Sequence, residues 1–499
     1  MRRRSSVCLL AILSLVSHPP SPVNGDDRGV PAAAARPVVS HLTNAQDVRA
    51  RLGLEREYAD VPGIRRVRVA VLDYGFEGVG GGRAYLPADT VVVEHYDPEF
   101  VRRNGLGDPD YRKGFEPGNR HGRVMAQALW AVTGAHAVGP RFYLLNANGP
   151  TMLHRAVRHA VEQKVDVILF SGSFEGGGNG DGRGPINRIV AEALAADILW
   201  INAAGNYGRR VYEGPVKVLG DGYLRLRDGS DVASLRFRNR VDENSVTVTL
   251  TWNDYREQED AGTDKDLDLY VEDWTGRRVG AGEKVQVVGI PAPGRDETRN
   301  PRERVVLTGL AASPSVPSDP EYGYRIRIRA KGGRFTPSDR IRVLMTAGRE
   351  SYIPPDADAP REAVEFLDAS RGGEIFPPAD NPLVLTVGDG DPSSSIGPTA
   401  DRRVKPDVIL EDSRAFFSDG EVTAGSSVAA AYLAGVATVL RAVAPDLRPG
   451  QLVRLAREGP VVPATSPPVR ARGLTTAPGF RTWQTPTRTR LNEALRDRR

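Results

Sequence analysis

The pattern of this chain changes twice, and that constrains its fold more than any other feature. From residue 66 to residue 203 strand and helix signals alternate. Val69-Ala70-Val71-Leu72 is an apolar strand ended by Asp73-Tyr74-Gly75. Residues 122–132 place Val124, Met125, Ala128, Leu129 and Val132 on one helical face. A strand at 141–146, a helix at 152–163, a strand at 165–171, a helix at 186–196 and a strand at 198–203 follow. That alternation predicts a parallel sheet covered by helices on both faces. From about residue 210 to 348 only strand signals remain, among them Val246-Thr247-Val248-Thr249-Leu250, Tyr324-Arg325-Ile326-Arg327-Ile328 and Arg340-Ile341-Arg342-Val343-Leu344. Short strands between Gly, Pro and Asp turns predict a β-sandwich. The α/β pattern returns at Leu383-Val384-Leu385-Thr386-Val387 and runs through a helix from Ser427 to Val443. The all-β block is therefore inserted into an α/β domain.

The expected organisation is a signal peptide over 1–25, an N-terminal extension or linker over 26–60, the α/β domain over 61–209 and 349–458, the insert over 210–348, and a tail over 459–499 with a last helix near 490–498. Arg2, Arg3 and Arg4 precede a short apolar run, Val7 to Val16, which is too short for a stable membrane anchor. Export to a periplasm or the cell exterior is expected, without a transmembrane anchor. The only cysteine is Cys8, inside that segment, so an exported chain has no disulfide and no cysteine-bound metal. The net charge of +4 comes with scattered arginines and no basic stripe interleaved with aromatics, so nucleic acid is not an expected partner. Residues 176–182 are glycine-rich but lack the Lys-Ser/Thr ending of a phosphate cradle, and they read as a flexible loop near a cleft.

Four local signals carry chemistry. Asp73 ends a buried strand. His121-Gly122 opens a helix. Asn206 closes Ala203-Ala204-Gly205-Asn206 at a strand end. Ser427 heads the small-residue helix after Gly425-Ser426. In an open α/β sheet functional groups gather beyond the carboxyl ends of the strands. A serine hydroxyl needs a base within hydrogen-bond reach, histidine supplies one near neutral pH, and a carboxylate on the far ring nitrogen fixes the tautomer. An oxyanion needs preorganised donors, which the Asn206 amide and the Ser427 N–H can supply. Taken singly, each residue reads better as a turn, cap or packing residue. The joint order Asp, His, Asn, Ser is what gives them meaning. Ala429 stands where a Gly-x-Ser-x-Gly elbow needs its second glycine, which disfavours an α/β-hydrolase esterase.

That order, with Val69 to Gly75, His121 to Ala126, Ala203 to Asn206, Val404 to Val408 and Gly425 to Ala430, resembles the subtilisin-like serine proteases, over roughly 61–208 and 376–440. Tyr74, Arg123, Ser426 and Val428 depart from the family's usual neighbours. The resemblance implies a subtilisin-like parallel sheet flanked by helices and a secreted serine endopeptidase acting on proteins or peptides. Asp73, His121 and Ser427 would be the catalytic triad and Asn206 the oxyanion donor. Ser171, Gly172 and Ser173 would line the substrate strand. No cofactor is required for such chemistry, and a monomer is expected. An alternative is a catalytically weak homologue that binds extracellular partners. The insert resembles the pre-peptidase C-terminal-like sandwich through Thr249 to Trp252 and Asp264 to Val271. There Asp264, Asp266 and Asp268 are either calcium ligands or a polar strand edge.

Overall fold

The structure, a computed structural model, describes residues 42–54, 65–79, 86–133, 140–228, 232–258, 261–292, 294–314, 322–353, 361–460 and 481–496. The expected signal segment and Cys8 lie outside these residues.

Seven strands form one parallel sheet: β1 (Arg68–Asp73), β2 (Val91–Val93), β3 (Arg141–Asn146), β4 (Val167–Phe170), β5 (Leu199–Ala203), β6 (Leu385–Asp389) and β7 (Val408–Leu410). Their order across the sheet is β2-β3-β1-β4-β5-β6-β7. The labelled helices are α1 (Ala45–Arg51), α2 (His121–Thr133), α3 (Pro150–Glu162), α4 (Pro185–Ala195) and α5 (Ser426–Val443). Side-chain alternation sorts the two faces. Val69, Val71, Val167, Leu169, Leu199 and Ile201 meet α2 and α5 on one side. Ala70, Leu72, Ile168, Phe170 and Trp200 meet α3 and α4 on the other. Because both faces are covered, the strands read as continuous apolar runs. Helix α5 is long and apolar enough to cross a membrane, but it is buried along nearly its whole length as the central core helix.

The chain leaves the sheet after β5 and returns before β6, as the change of pattern requires. The intervening residues form two large antiparallel sheets, besides two small two-stranded ones. The five-stranded one orders residues 278–282, 266–272, 324–332, 235–239 and 364–366. The four-stranded one orders 302–310, 244–252, 340–347 and 211–215. Leu235, Phe237, Leu269 and Ile326 from the first sheet and Val248, Leu250, Ile341 and Val343 from the second share one apolar core. The block runs past the expected boundary at residue 348, because Val364–Phe366 pairs with Leu235–Asn239.

Two further expectations need correction. Residues 42–54 are not linker: Val48, Leu52 and Leu54 are buried in the main core, and Arg49 donates to the Val132 carbonyl at the end of α2 at 2.7 Å. The Val48/Leu52 spacing is one helical turn, enough to dock a single face. The glycine-rich loop is also pinned rather than free. Asn179 and Tyr255 exchange two hydrogen bonds of 3.0 and 2.9 Å, Gly182 N–H donates to Asp380 at 3.0 Å, and Gly184 N–H donates to Glu257 at 3.2 Å. The all-β block thus buttresses this loop against the α/β domain.

Candidate active site

Strand register assembles the site. Leu72 stands opposite Phe170, and Phe170 opposite Asn202, so β1, β4 and β5 end in one row. Asp73, the last residue of β1, is 2% exposed. Its Oδ1 accepts from the Tyr74 N–H at 2.7 Å, and its Oδ2 faces His121 Nδ1 at 2.7 Å. Facing a carboxylate, Nδ1 is the donor, so in the neutral ring Nε2 carries the free lone pair. Burial alone would lower the His121 pKa. The charge of Asp73 and its hydrogen bond outweigh burial and hold it above the usual histidine value. Gly122 is glycine because a Cβ there would lie 2.6 Å from Asp73 Cβ and 2.8 Å from the Gly75 carbonyl oxygen.

Ser427 is the second residue of α5. Gly425, just before the helix, has φ of 107°, which a Cβ-bearing residue strains to adopt. The Ser427 hydroxyl donates to the Ser171 carbonyl at 3.4 Å, and the Ser171 hydroxyl donates to the Ser427 carbonyl at 3.3 Å. No hydrogen bond joins Ser427 to His121 in this rotamer. The two still sit on adjacent supports: Asp73 holds His121 at the end of β1, and Ser171 holds Ser427 at the end of β4. Neighbouring strands lie about 4.8 Å apart.

Asn206 faces the same helix start. Its Oδ1 accepts from the Ser426 N–H at 3.2 Å and from the Ser426 hydroxyl at 3.0 Å, while that hydroxyl accepts from the Gly205 N–H at 3.2 Å. With the oxygen tied to two donors, the amide is oriented, and Nδ2 has no protein partner among the described residues. Sequence reading missed this role of Ser426, marking it only as a departure beside Ser427.

The Ser171–Ser173 segment follows the end of β4, beside Ser427, and its carbonyls are occupied. Asn202 donates to the Gly172 carbonyl at 3.0 Å, and the Tyr74 hydroxyl donates to the Ser173 carbonyl at 3.1 Å. The Ser173 hydroxyl pairs with the Tyr207 hydroxyl at 2.9 Å. Tyr74, which sequence marks only as a departure, packs edge-on against Phe170 and Phe174. Burial raises its pKa well above the ordinary tyrosine value, so it remains a donor.

The three insert carboxylates differ in their surroundings. Among the described residues no group of three or more His, Cys, Asp or Glu side chains is placed to share a metal ion. Asp268 instead accepts from the Tyr270 hydroxyl at 2.6 Å and pairs with Lys331 at 3.5 Å. Burial, then the charge of Asp268, pushes Asp266 up to about 6. Asp264 is exposed.

The sequence model of the subtilase family (peptidase S8) matches residues 65–495. Among solved structures, the Clostridium perfringens CspB protease aligns with a TM-score of 0.50 at 15% identity, over 91% of this chain and 98% of that one. MycP1 from Mycobacterium smegmatis aligns at 0.34 and 17%, over 92% and 88%. The epidermin leader peptide processing serine protease EpiP from Staphylococcus aureus aligns at 0.36 and 10%, over 92% and 82%. At such identities the likeness speaks for the fold alone, and the CspB alignment carries it. A search of curated proteins returns no match.

Proposed function

This chain belongs to the subtilase family of serine proteases, and from that premise we propose that it is an exported endopeptidase working through Asp73, His121, Asn206 and Ser427. The Ser427 hydroxyl turns from Ser171 to His121 Nε2, gives up its proton and attacks the scissile carbonyl carbon. Asp73 stabilises the imidazolium that forms. The oxyanion develops between Asn206 Nδ2 and the Ser427 N–H. His121 then hands its proton to the leaving amine, and water releases the acyl group by the reverse sequence. Proteins or peptides are the substrates, and no prosthetic group enters any step. The apolar segment after Arg2-Arg3-Arg4 supports export.

The observation that carries this reading is the 2.7 Å His121–Asp73 pair beside an Asn206 amide whose free end is its donor. A fluorophosphonate probe tests it. Wild type is expected to label at Ser427, and Ser427→Ala and His121→Ala are expected not to label. A folded wild type that does not label supports a second reading, a catalytically silent homologue that binds peptides. The Ser427 hydroxyl resting on Ser171 and the filled Ser173 carbonyl favour that alternative.

A further inference from the structure

A cavity of about 400 Å³ opens from the Ser173–Gly177 segment, and the all-β block forms its far wall. Its charged lining is uneven. Lys113, Arg299, Arg302 and Arg304 stand against two carboxylates, Glu116 and Glu175, which leaves a surplus of two positive charges. Both carboxylates already have uses: Glu175 accepts from the Thr249 hydroxyl at 2.9 Å, and Glu116 accepts from the Asn119 amide at 2.9 Å. Among the described residues no carboxylate lies within ion-pair distance of any of the four cations, although most other arginines of the insert are paired. Arg304 Nε is buried without a partner. Arg302 lies against the Gly176 backbone: a Cβ on Gly176 would be 3.4 Å from its Cδ.

The position of this cavity gives the surplus a meaning. Ser171 touches Ser427, and the cavity wall begins two residues later at Ser173. A peptide laid along this segment advances about 3.3 Å per residue. Side chains two to five residues from the scissile bond would then enter the cavity whose far wall carries Arg302 and Arg304. Both come from the inserted block, which is tied to this loop through Asn179 and Tyr255. We propose that the insert equips the cleft with an anion-binding subsite, so that the protease selects substrates with aspartate or glutamate two to five residues to one side of the cleaved bond.

This inference rests on the protease reading, and its test separates the two. Quenched peptides of equal length carry Asp, Asn or Lys at each position from two to five on either side of the scissile bond, and kcat/KM is measured on the full chain. Partly exposed pairs with two arginines are expected to favour Asp over Lys by about five- to thirtyfold on one side only. The preference should shrink in high salt as screening shortens. The double variant Arg302→Glu with Arg304→Glu should reverse the Asp/Lys ratio, and the double variant Arg302→Lys with Arg304→Lys should keep it. A ratio within one variant cancels any general loss of rate, and thermal unfolding shows whether the variant is folded. Equal rates for Asp and Lys peptides at every position in wild type overturn the proposal, as does a preference that survives the double Glu change. If no peptide is cleaved and Ser427 does not label, the protease reading has failed instead. The same peptides are then read by fluorescence anisotropy on the intact chain: tighter binding of the Asp peptide supports the subsite, and equal binding overturns it.

Discussion

Gly122→Ala is a one-carbon change that reaches the candidate triad without touching a reacting group. The added Cβ would fall 2.5 Å from the Phe76 ring, 2.6 Å from Asp73 Cβ and 2.8 Å from the Gly75 carbonyl oxygen, where ordinary contact begins at 3.4 Å. The Phe76 ring can swing. Asp73 and Gly75 are less free, because the Gly122 N–H already donates to that carbonyl at 3.0 Å and Asp73 is the terminal pairing residue of β1. Restoring contact from 2.6 to 3.4 Å asks for a retreat of about 0.8 Å between α2 and Asp73. Spent along the His121–Asp73 axis, that retreat takes a 2.7 Å hydrogen bond beyond useful range. Overpacking costs about 1–3 kcal/mol, and the better helix propensity of alanine returns at most about 1. The variant should therefore fold. Misplacement of a catalytic group by about 1 Å costs on the order of 100-fold in rate, so activity should fall far more than stability. The support that Asp73 gives to protonated His121 weakens as well, so the acid limb of kcat/KM should move to lower pH. The assay is kcat/KM for a peptide substrate against pH, beside thermal unfolding. Gly450→Ala is the control, since its Cβ would meet only Leu383 at 3.8 Å. A Gly122→Ala enzyme within threefold of wild type, with an unmoved pH profile, would refute the argument that this glycine holds the pair together.

Two other predictions follow from charge and burial. His121 has a raised pKa and must be neutral to act as base, so kcat/KM should fall to half at a pH above the ordinary histidine value of about 6.5. Asp73→Asn should move that midpoint below it, because burial remains and the charge is gone; a wild-type midpoint at or below about 6.5 contradicts this. The raised folded value also means that the pair's stabilisation is full below the unfolded pKa and is lost as pH rises through the folded one. Lys405→Met breaks a fully buried pair, in which Nζ reaches Asp407 at 2.6 Å, the Val384 carbonyl at 2.7 Å and the Thr386 hydroxyl at 2.9 Å. It should cost about 3–5 kcal/mol, read as a lower denaturant midpoint, and an unchanged midpoint would show that Arg457 alone satisfies Asp407.

What sequence could disclose about the site follows how each residue is held. Asp73, Asn206, His121 and Ser427 sit at ends of strands and starts of helices, and the periodicity that locates those ends is written locally. The break at 210 and the return near 383 are equally local, since each is a change of period. The inward turn of residues 42–54 was hidden because two apolar residues one turn apart match a polar surface helix as well as a docked one. The three aspartates looked alike by alternation, yet their surroundings differ: Asp268 meets the Tyr270 hydroxyl and Lys331, while Asp264 is exposed. Tyr74 and Tyr207 escaped for a stronger reason. Both act on Ser173, a residue about 99 and 34 positions away along the chain, across a contact that exists only once β1, β4 and β5 lie in register. Subsite chemistry of this kind is set by what distant loops present to one another. The insert's arginines belong to the same class: on their own strand they are ordinary solvated charges, and only the loop that Tyr255 pins beneath them turns them toward a substrate.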